Sequence, residues 1–279
     1  MTASHSATRT AGRMHVLLLA MVVGGWISTT AVFAVTPPDQ PAHNHQPAIG
    51  IIIDDMGNLA QRDKRALQLP GPITFAFLPH TPHARDLAEL AHRLNKEIML
   101  HLPMQPMEND KPGPGALTLH MTARQFVQQL TLDFAAIPHF IGINNHMGSL
   151  LTQHPGHMQW LMTELSKRKD LYFVDSYTSK NSIAQQLANE NRIPNIRRDV
   201  FLDHDRNPDT IRFHLQRLIA KARQNGTALA IGHPFPETIA VLKEELPKLR
   251  AQGVTLLPVS QLIHRNLERS TSWQAYLSR

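Results

Sequence analysis

The sequence predicts an α/β protein, a distorted (β/α) barrel with about seven to eight mostly parallel strands. Three observations carry that prediction. From residue 48 onward, short aliphatic runs alternate with longer segments whose apolar residues recur every three or four positions, the pattern of βα units. The aliphatic runs are continuous rather than alternating, as in strands buried on both faces. Pro82, Pro155, Pro208 and Pro236 stand where helices should begin, and Gly226 and Gly253 where two of them should end.

Ahead of the barrel, Arg9 and Arg13 precede an apolar run from Val16 to Ile27, and small residues close it at Ala31-Val-Phe-Ala34. A basic start, a short apolar centre and a small-residue exit read residues 1–34 as a secretory signal peptide. The mature chain is then exported, to a periplasm or beyond, with no stable membrane insertion after cleavage. An uncleaved anchor is the other reading of that run. Gly24-Gly25 and Ser28-Thr29-Thr30 interrupt it. Residues 35–47, VTPPDQPAHNHQP, form a Pro-rich linker.

The barrel occupies residues 48–265, and residues 266–279 are left as a C-terminal tail. Its strands are read at Ala48–Asp54, Ile73–Leu78, Glu97–Leu102, Phe140–Asn144, Leu171–Asp175, Ile196–Leu202, Thr227–Ile231 and Val254–Leu257. Helices are read at His83–Asn95, Thr122–Ala136, Pro155–Arg168, Pro208–Asn225 and Pro236–Gln252. A long Pro/Gly-rich loop, Gln105–Leu119, succeeds the third strand on the side where loops of such folds frame active sites.

Composition narrows the chemistry. The 279 residues contain no cysteine, which removes thiol catalysis, disulfides and Cys-ligated zinc, and leaves 17 histidines and the carboxylates as strong metal ligands. The net charge of +6 is scattered, with no basic run longer than Lys167-Arg168-Lys169, so a mildly basic surface is expected rather than a nucleic-acid interface. There is no G-x-S-x-G elbow and no glycine-rich phosphate cradle. Ser149 and Ser176 lack a neighbouring base and orienting group in sequence.

The strand ends carry the strongest signal. The first strand ends in Asp54-Asp55, the third carries His101 at its tip, and the fourth leads to His146. The fifth ends in Asp175, the sixth runs into Asp203-His204-Asp205, and the seventh into Gly232-His233. A lone Asp at a strand end is often a helix cap, and a lone His often a structural hydrogen-bonding group. In a parallel barrel, however, all these ends share one face, and one Asp with two His suffices for a first-row metal. The adjacent carboxylates of Asp54 and Asp55 demand compensation by a cation, a shared proton or a helix N-terminus.

The segments IIIDDMGN (51–58), MLHLPMQP (99–106), GINNHMGS (142–149), YFVDSYTS (172–179), RRDVFLDHD (197–205) and AIGHPFPETI (230–239) together resemble the divergent polysaccharide deacetylase family. That family is a distant branch of the carbohydrate esterase family 4 polysaccharide deacetylases. The resemblance implies Asp54 as general base, Asp55 as metal ligand, His101 as a second ligand and His233 as general acid, with Asp175 orienting or tuning the site. The position of a further motif histidine is held by Gln105, and His146 is taken to replace it, giving a set of Asp55, His101 and His146. The implied cofactor is a divalent metal, Zn²⁺ by its donors. The implied substrate is a glycan with acetylated amino sugars; Tyr172, Tyr177, Phe235 and Trp160 are the candidate stacking surfaces, with core packing the role expected of most. The implied function is an exported, zinc-dependent deacetylase of an envelope glycan, acting on amide bonds. Gln105 admits a second reading, a non-catalytic periplasmic glycan-binding or envelope-assembly protein that keeps a structural metal. A cationic surface-binding module is a third.

Overall fold

The structure, a computed structural model, describes residues 46–277, and their side chains up to 269. The signal peptide read at 1–34 and most of the linker read at 35–47 lie outside the described residues. Among the described residues, no helix is long and apolar enough to cross a membrane.

The first half of the chain runs β1 (Ala48–Met56), α1 (Ala60–Leu67), β2 (Thr74–Phe77), α2 (Ala84–Arg93), β3 (Glu97–Met104), α3 (Ala123–Ala136), β4 (Gly142–Met147) and α4 (Pro155–Ser166). The second half runs β5 (Tyr172–Asp175), α5 (Ala184–Glu190), β6 (Asn195–Arg197), β7 (Val200–Phe201), α6 (Pro208–Asn225), β8 (Thr227–Gly232), α7 (Pro236–Glu245), β9 (Thr255–Leu256) and α8 (Val259–Leu277). Local chemistry explains the boundaries. Thr122 and Gln125 form a reciprocal capping box at the start of α3. Asn207 caps α6 ahead of Pro208, and Gly226 ends that helix at φ +83°.

Every strand pair is parallel, and the order β6-β5-β4-β3-β2-β1-β8-β7 curls into a barrel that does not close. The predicted strand Ile196–Leu202 is two strands: β6 pairs with β5 at one edge, and β7 pairs with β8 at the other. The chain therefore crosses the barrel's open side at Arg198-Asp199. β9 is only two residues long and pairs with the start of β1. Two short helices, α1 and α5, arise where no helix is expected, and α7 gives way at Leu246–Lys248 to a 3₁₀ turn containing Pro247. α8 runs unbroken through the boundary read at 265, to Leu277.

The strands obey a two-residue alternation that decides which side chains reach the site. Ile49, Ile51 and Ile53 of β1 join the core between the sheet and its helices, while Ala48 and Ile52 join a second core inside the barrel. On β3, Ile98, Leu100 and Leu102 point outward and Met99 inward. On β5, Phe173 points outward and Tyr172 and Val174 inward; on β8, Leu229 and Ile231 point inward. The barrel floor is plugged by Val259, Leu262 and Ile263 of α8, all 2% exposed or less. Those three side chains contribute roughly 5–9 kcal/mol of transfer free energy before ordering entropy is counted. Gly50 permits this approach, because a Cβ there would lie 2.9 Å from Leu262 Cδ2.

Candidate metal centre and active site

Extending the inward columns upward predicts which side chains meet above the plug. Ala48, Gly50 and Ile52 lead to Asp54; Met99 leads to His101; Gly142 leads to Asn144 and His146; Leu229 and Ile231 lead to His233. Asp54 and His101 are buried, while His146 and His233 are partly exposed at the mouth. Asp55 has the wrong parity, and the backbone corrects it. Its φ is +56°, and the β1–β2 register slips between Ile53 and Met56. A left-handed, non-glycine residue at a strand end costs of order 1–3 kcal/mol, and here it turns a second carboxylate into the mouth.

Asp55 Oδ1 lies 3.3 Å from His101 Nε2 and 3.1 Å from His146 Nδ1, and those two nitrogens are 3.1 Å apart. Asp55 Oδ1 is buried and has no hydrogen bond of acceptable geometry. A tetrahedral ion with ligand bonds of about 2.0–2.1 Å separates its donors by roughly 3.3 Å, so the triangle fits zinc or a similar divalent cation. Among the described residues, these three form the one carboxylate–histidine group placed to hold a metal. Burial alone would push the Asp55 carboxyl up; the neighbouring imidazoles outweigh it and hold the group well below the usual carboxylate range.

One amide organises both halves of the site. Asn144 Nδ2 donates to Asp54 Oδ1 at 2.8 Å, and His101 Nδ1 lies 2.9 Å from Asn144 Oδ1. An ionised carboxylate only accepts, so the amide nitrogen must face Asp54 and its oxygen must face His101. His101 therefore carries its proton on Nδ1 and presents the Nε2 lone pair to the metal position. The register places Asn144 opposite His101, which makes the contact a consequence of β3–β4 pairing.

Across the mouth, His233 Nδ1 pairs with Asp203 Oδ1 at 2.9 Å, and Asp203 Oδ2 accepts from the His233 amide and from Thr238 Oγ1. His233 Nε2 then faces Asp55 Oδ2 at 3.8 Å. Burial works against a charged His233, but Asp203 and the site carboxylates more than offset it and raise its pKa. Burial also raises Asp54, and the nearby imidazoles only partly counter it. A carboxyl group and an imidazole, both shifted upward, thus flank the candidate metal position.

Asp175 does not join them. It has outward parity on β5, and its carboxylate accepts from the Tyr177 amide and Ser182 Oγ, capping the turn beyond the strand. Asp203, another of the strand-end carboxylates, is the group that orients His233. Gln105 lies away from the ligands; its side chain accepts from the Leu119 amide and fastens the long loop back on itself. Of the aromatic candidates, Tyr172 is buried with its hydroxyl on Glu97, and Trp160 packs against Phe126. Tyr177 stacks under Arg197, and Phe235 packs against His233. Phe201 lines the cleft instead, a 340 Å³ space shared with Asp54, His101, His146, Arg198 and His233. Asn144, Phe201 and Arg198 carry no strand-end signal in the sequence, and Asp203 carries one without its partner; inward parity could have singled out Asn144.

Residues 51–263 match the family model described as divergent polysaccharide deacetylase. The uncharacterized protein YibQ of Escherichia coli is 37% identical over 216 residues, 77% of this chain and 67% of its own. An uncharacterized Haemophilus influenzae protein is 37% identical over 204 residues, 73% of this chain and 72% of its own. The crystal structure of the uncharacterized Agrobacterium tumefaciens protein ATU2773 superposes with a TM-score of 0.75 at 24% identity, covering 78% of this chain and 89% of that one. The last likeness speaks for the fold.

Proposed function

The chain belongs to the divergent polysaccharide deacetylase family, and from that premise we propose that it is an exported, metal-dependent hydrolase that deacetylates N-acetylated amino sugars of an envelope glycan. Zinc is the metal best matched to one carboxylate and two imidazoles. Export rests on the reading of residues 1–34. The observation that carries the catalytic reading is the division of the paired carboxylates. Asp55 completes a triangle with His101 and His146, whereas Asp54 is held by Asn144 with Oδ2 3.5 Å from His101 Nε2, facing the same space.

When bound, the cation supplies Lewis acidity toward an acetyl carbonyl and toward water. Asp54 takes the proton from the attacking water at Oδ2, its other oxygen being fixed by the amide of Asn144. His233 gives its Nε2 proton to the leaving amine, while Asp203 holds the ring by Nδ1. Gln105 has no part in this scheme, because His146 stands where a third donor is needed.

The test is amine release from acetylated oligosaccharides by zinc-loaded protein. Wild type is expected to release amine, and Asp54→Asn to keep the metal and lose turnover. A fully metal-loaded wild type that releases none across chitin-like, peptidoglycan and other envelope polymers would establish the non-catalytic glycan-binding reading instead.

A further inference from the structure

Arg198 stands where the chain crosses the open side of the barrel, between β6 and β7. Its Nε donates to Ser176 O at 2.7 Å and its Nη2 to Tyr177 O at 2.9 Å, while Phe201 lies under the guanidinium at 5.0 Å. The group is thus fixed on three sides in the wall of the cleft that holds Asp54, His101 and His233. Two of its five N–H groups are used, and the others have no acceptor among the described residues.

Its charge is offset only at a distance, by Asp54, Asp175 and Asp199, with no direct ion pair. Among the described residues, no carboxylate lies within 4.0 Å of Arg198. The acids nearest in the fold are engaged elsewhere: Asp54 by Asn144, Asp175 by Tyr177 and Ser182, and Asp199 by the Leu229 amide. Tying down two carbonyls does not require a guanidinium. A rigid, partly desolvated cation with spare in-plane donors is instead suited to bidentate capture of an oxyanion. On the far side of His146, a second cleft of 260 Å³ is lined by Lys111 as well as by Asp55.

We infer that Arg198 is a specificity residue that reads an oxyanion substituent, a carboxylate or a phosphate, on the sugar presented to the metal centre. The inference rests on the deacetylase reading only in placing an amino sugar in the cleft. An acidic glycan is therefore preferred over a neutral polymer of the same acetylated sugar.

The test is calorimetric titration of the zinc-loaded protein with three N-acetylglucosamine oligosaccharides of equal length. One carries a lactyl-ether carboxylate, the second its carboxamide, and the third a 6-phosphate. The carboxylate or the phosphate is expected to bind about tenfold or more tighter than the carboxamide, whichever does so identifying the oxyanion. That preference should shrink with added salt, vanish in Arg198→Gln and return in part in Arg198→Lys, with zinc affinity unchanged in both. Equal binding of all three, no binding at all, or Arg198→Gln weakening the carboxamide as much as the acids would overturn it. No step requires turnover. A protein that discriminates but releases no amine keeps this inference and loses the deacetylase reading, and one that releases amine without discriminating does the reverse.

Discussion

Replacing Asn144 separates the metal half of the site from the proton-transfer half. Asn144 is fully buried, and its amide satisfies His101 Nδ1 at 2.9 Å and Asp54 Oδ1 at 2.8 Å. Asn144→Leu keeps the volume and removes both partners. Each orphaned buried group costs about 1–3 kcal/mol, and more where it is charged, so the folded state loses roughly 2–6 kcal/mol. With nothing holding the Nδ1–H tautomer of His101, zinc affinity should fall about 10- to 100-fold. Asn144→Asp behaves differently. It still accepts from His101, so zinc affinity is retained, but a carboxylate now faces Asp54 across a former hydrogen bond. Two charges about 3 Å apart repel by about 6 kcal/mol even at an effective dielectric of 20, so the pair shares a proton and Asp54 ceases to be a free base. The assay is zinc competition against a chromophoric chelator, run beside amine release. The reasoning is refuted if Asn144→Leu binds zinc as tightly as wild type, or if Asn144→Asp turns over at the wild-type rate.

Other contacts in the fold yield three further outcomes. Asp203→Asn removes the charge that raises His233, so the alkaline limb of kcat/KM, where the acid loses its proton, should move to lower pH; an unmoved limb would place the acid elsewhere. Asp133, buried beside His80 and Gln129, has its carboxyl raised by burial from 3.8 to about 6. The folded state then holds that proton more tightly than the unfolded chain, so its contribution is full below about pH 4 and lost as pH rises through about 6. Urea melts of Asp133→Asn should lack this decline, worth up to about 3 kcal/mol at 1.36 kcal/mol per pH unit, and a decline parallel to wild type would contradict it. Gly142→Ala would set a Cβ 2.2 Å from the Tyr172 ring. Overpacking of that kind costs about 1–3 kcal/mol, read as a drop of several degrees in Tm, and zinc binding should be preserved in whatever fraction remains folded.

Much of the site was legible in sequence because its residues lie at the ends of strands, and strand ends of a parallel sheet share one face. Position at a strand end singles out Asp54, His101, His146 and His233 without knowledge of their partners. It does not say which way Asp175 points, because adjacent strand residues face opposite ways and a strand end alone does not fix which one turns inward. It would have failed at Asp55 as well but for the φ of +56° that no local pattern announces. Asn144 and the role of Asp203 went unread for a different reason. Their importance lies in the partner they hold, across a strand pairing or a thirty-residue separation that only the fold brings together. Arg198 depended on a break inside the predicted strand Ile196–Leu202, a break that the charged Arg197-Arg198-Asp199 at its centre marks. The helices α1 and α5 are only 8 and 7 residues long, too short to build the periodicity by which longer helices declare themselves.

The measurement that bears most directly on the account is zinc stoichiometry and affinity for wild type beside His146→Ala. The account predicts one tightly held zinc per wild-type chain and a large loss of affinity when His146 is removed, with the protein still folded. A wild type that holds no divalent metal after reconstitution, or a His146→Ala protein that holds it as tightly, would contradict the centre on which the proposed chemistry depends.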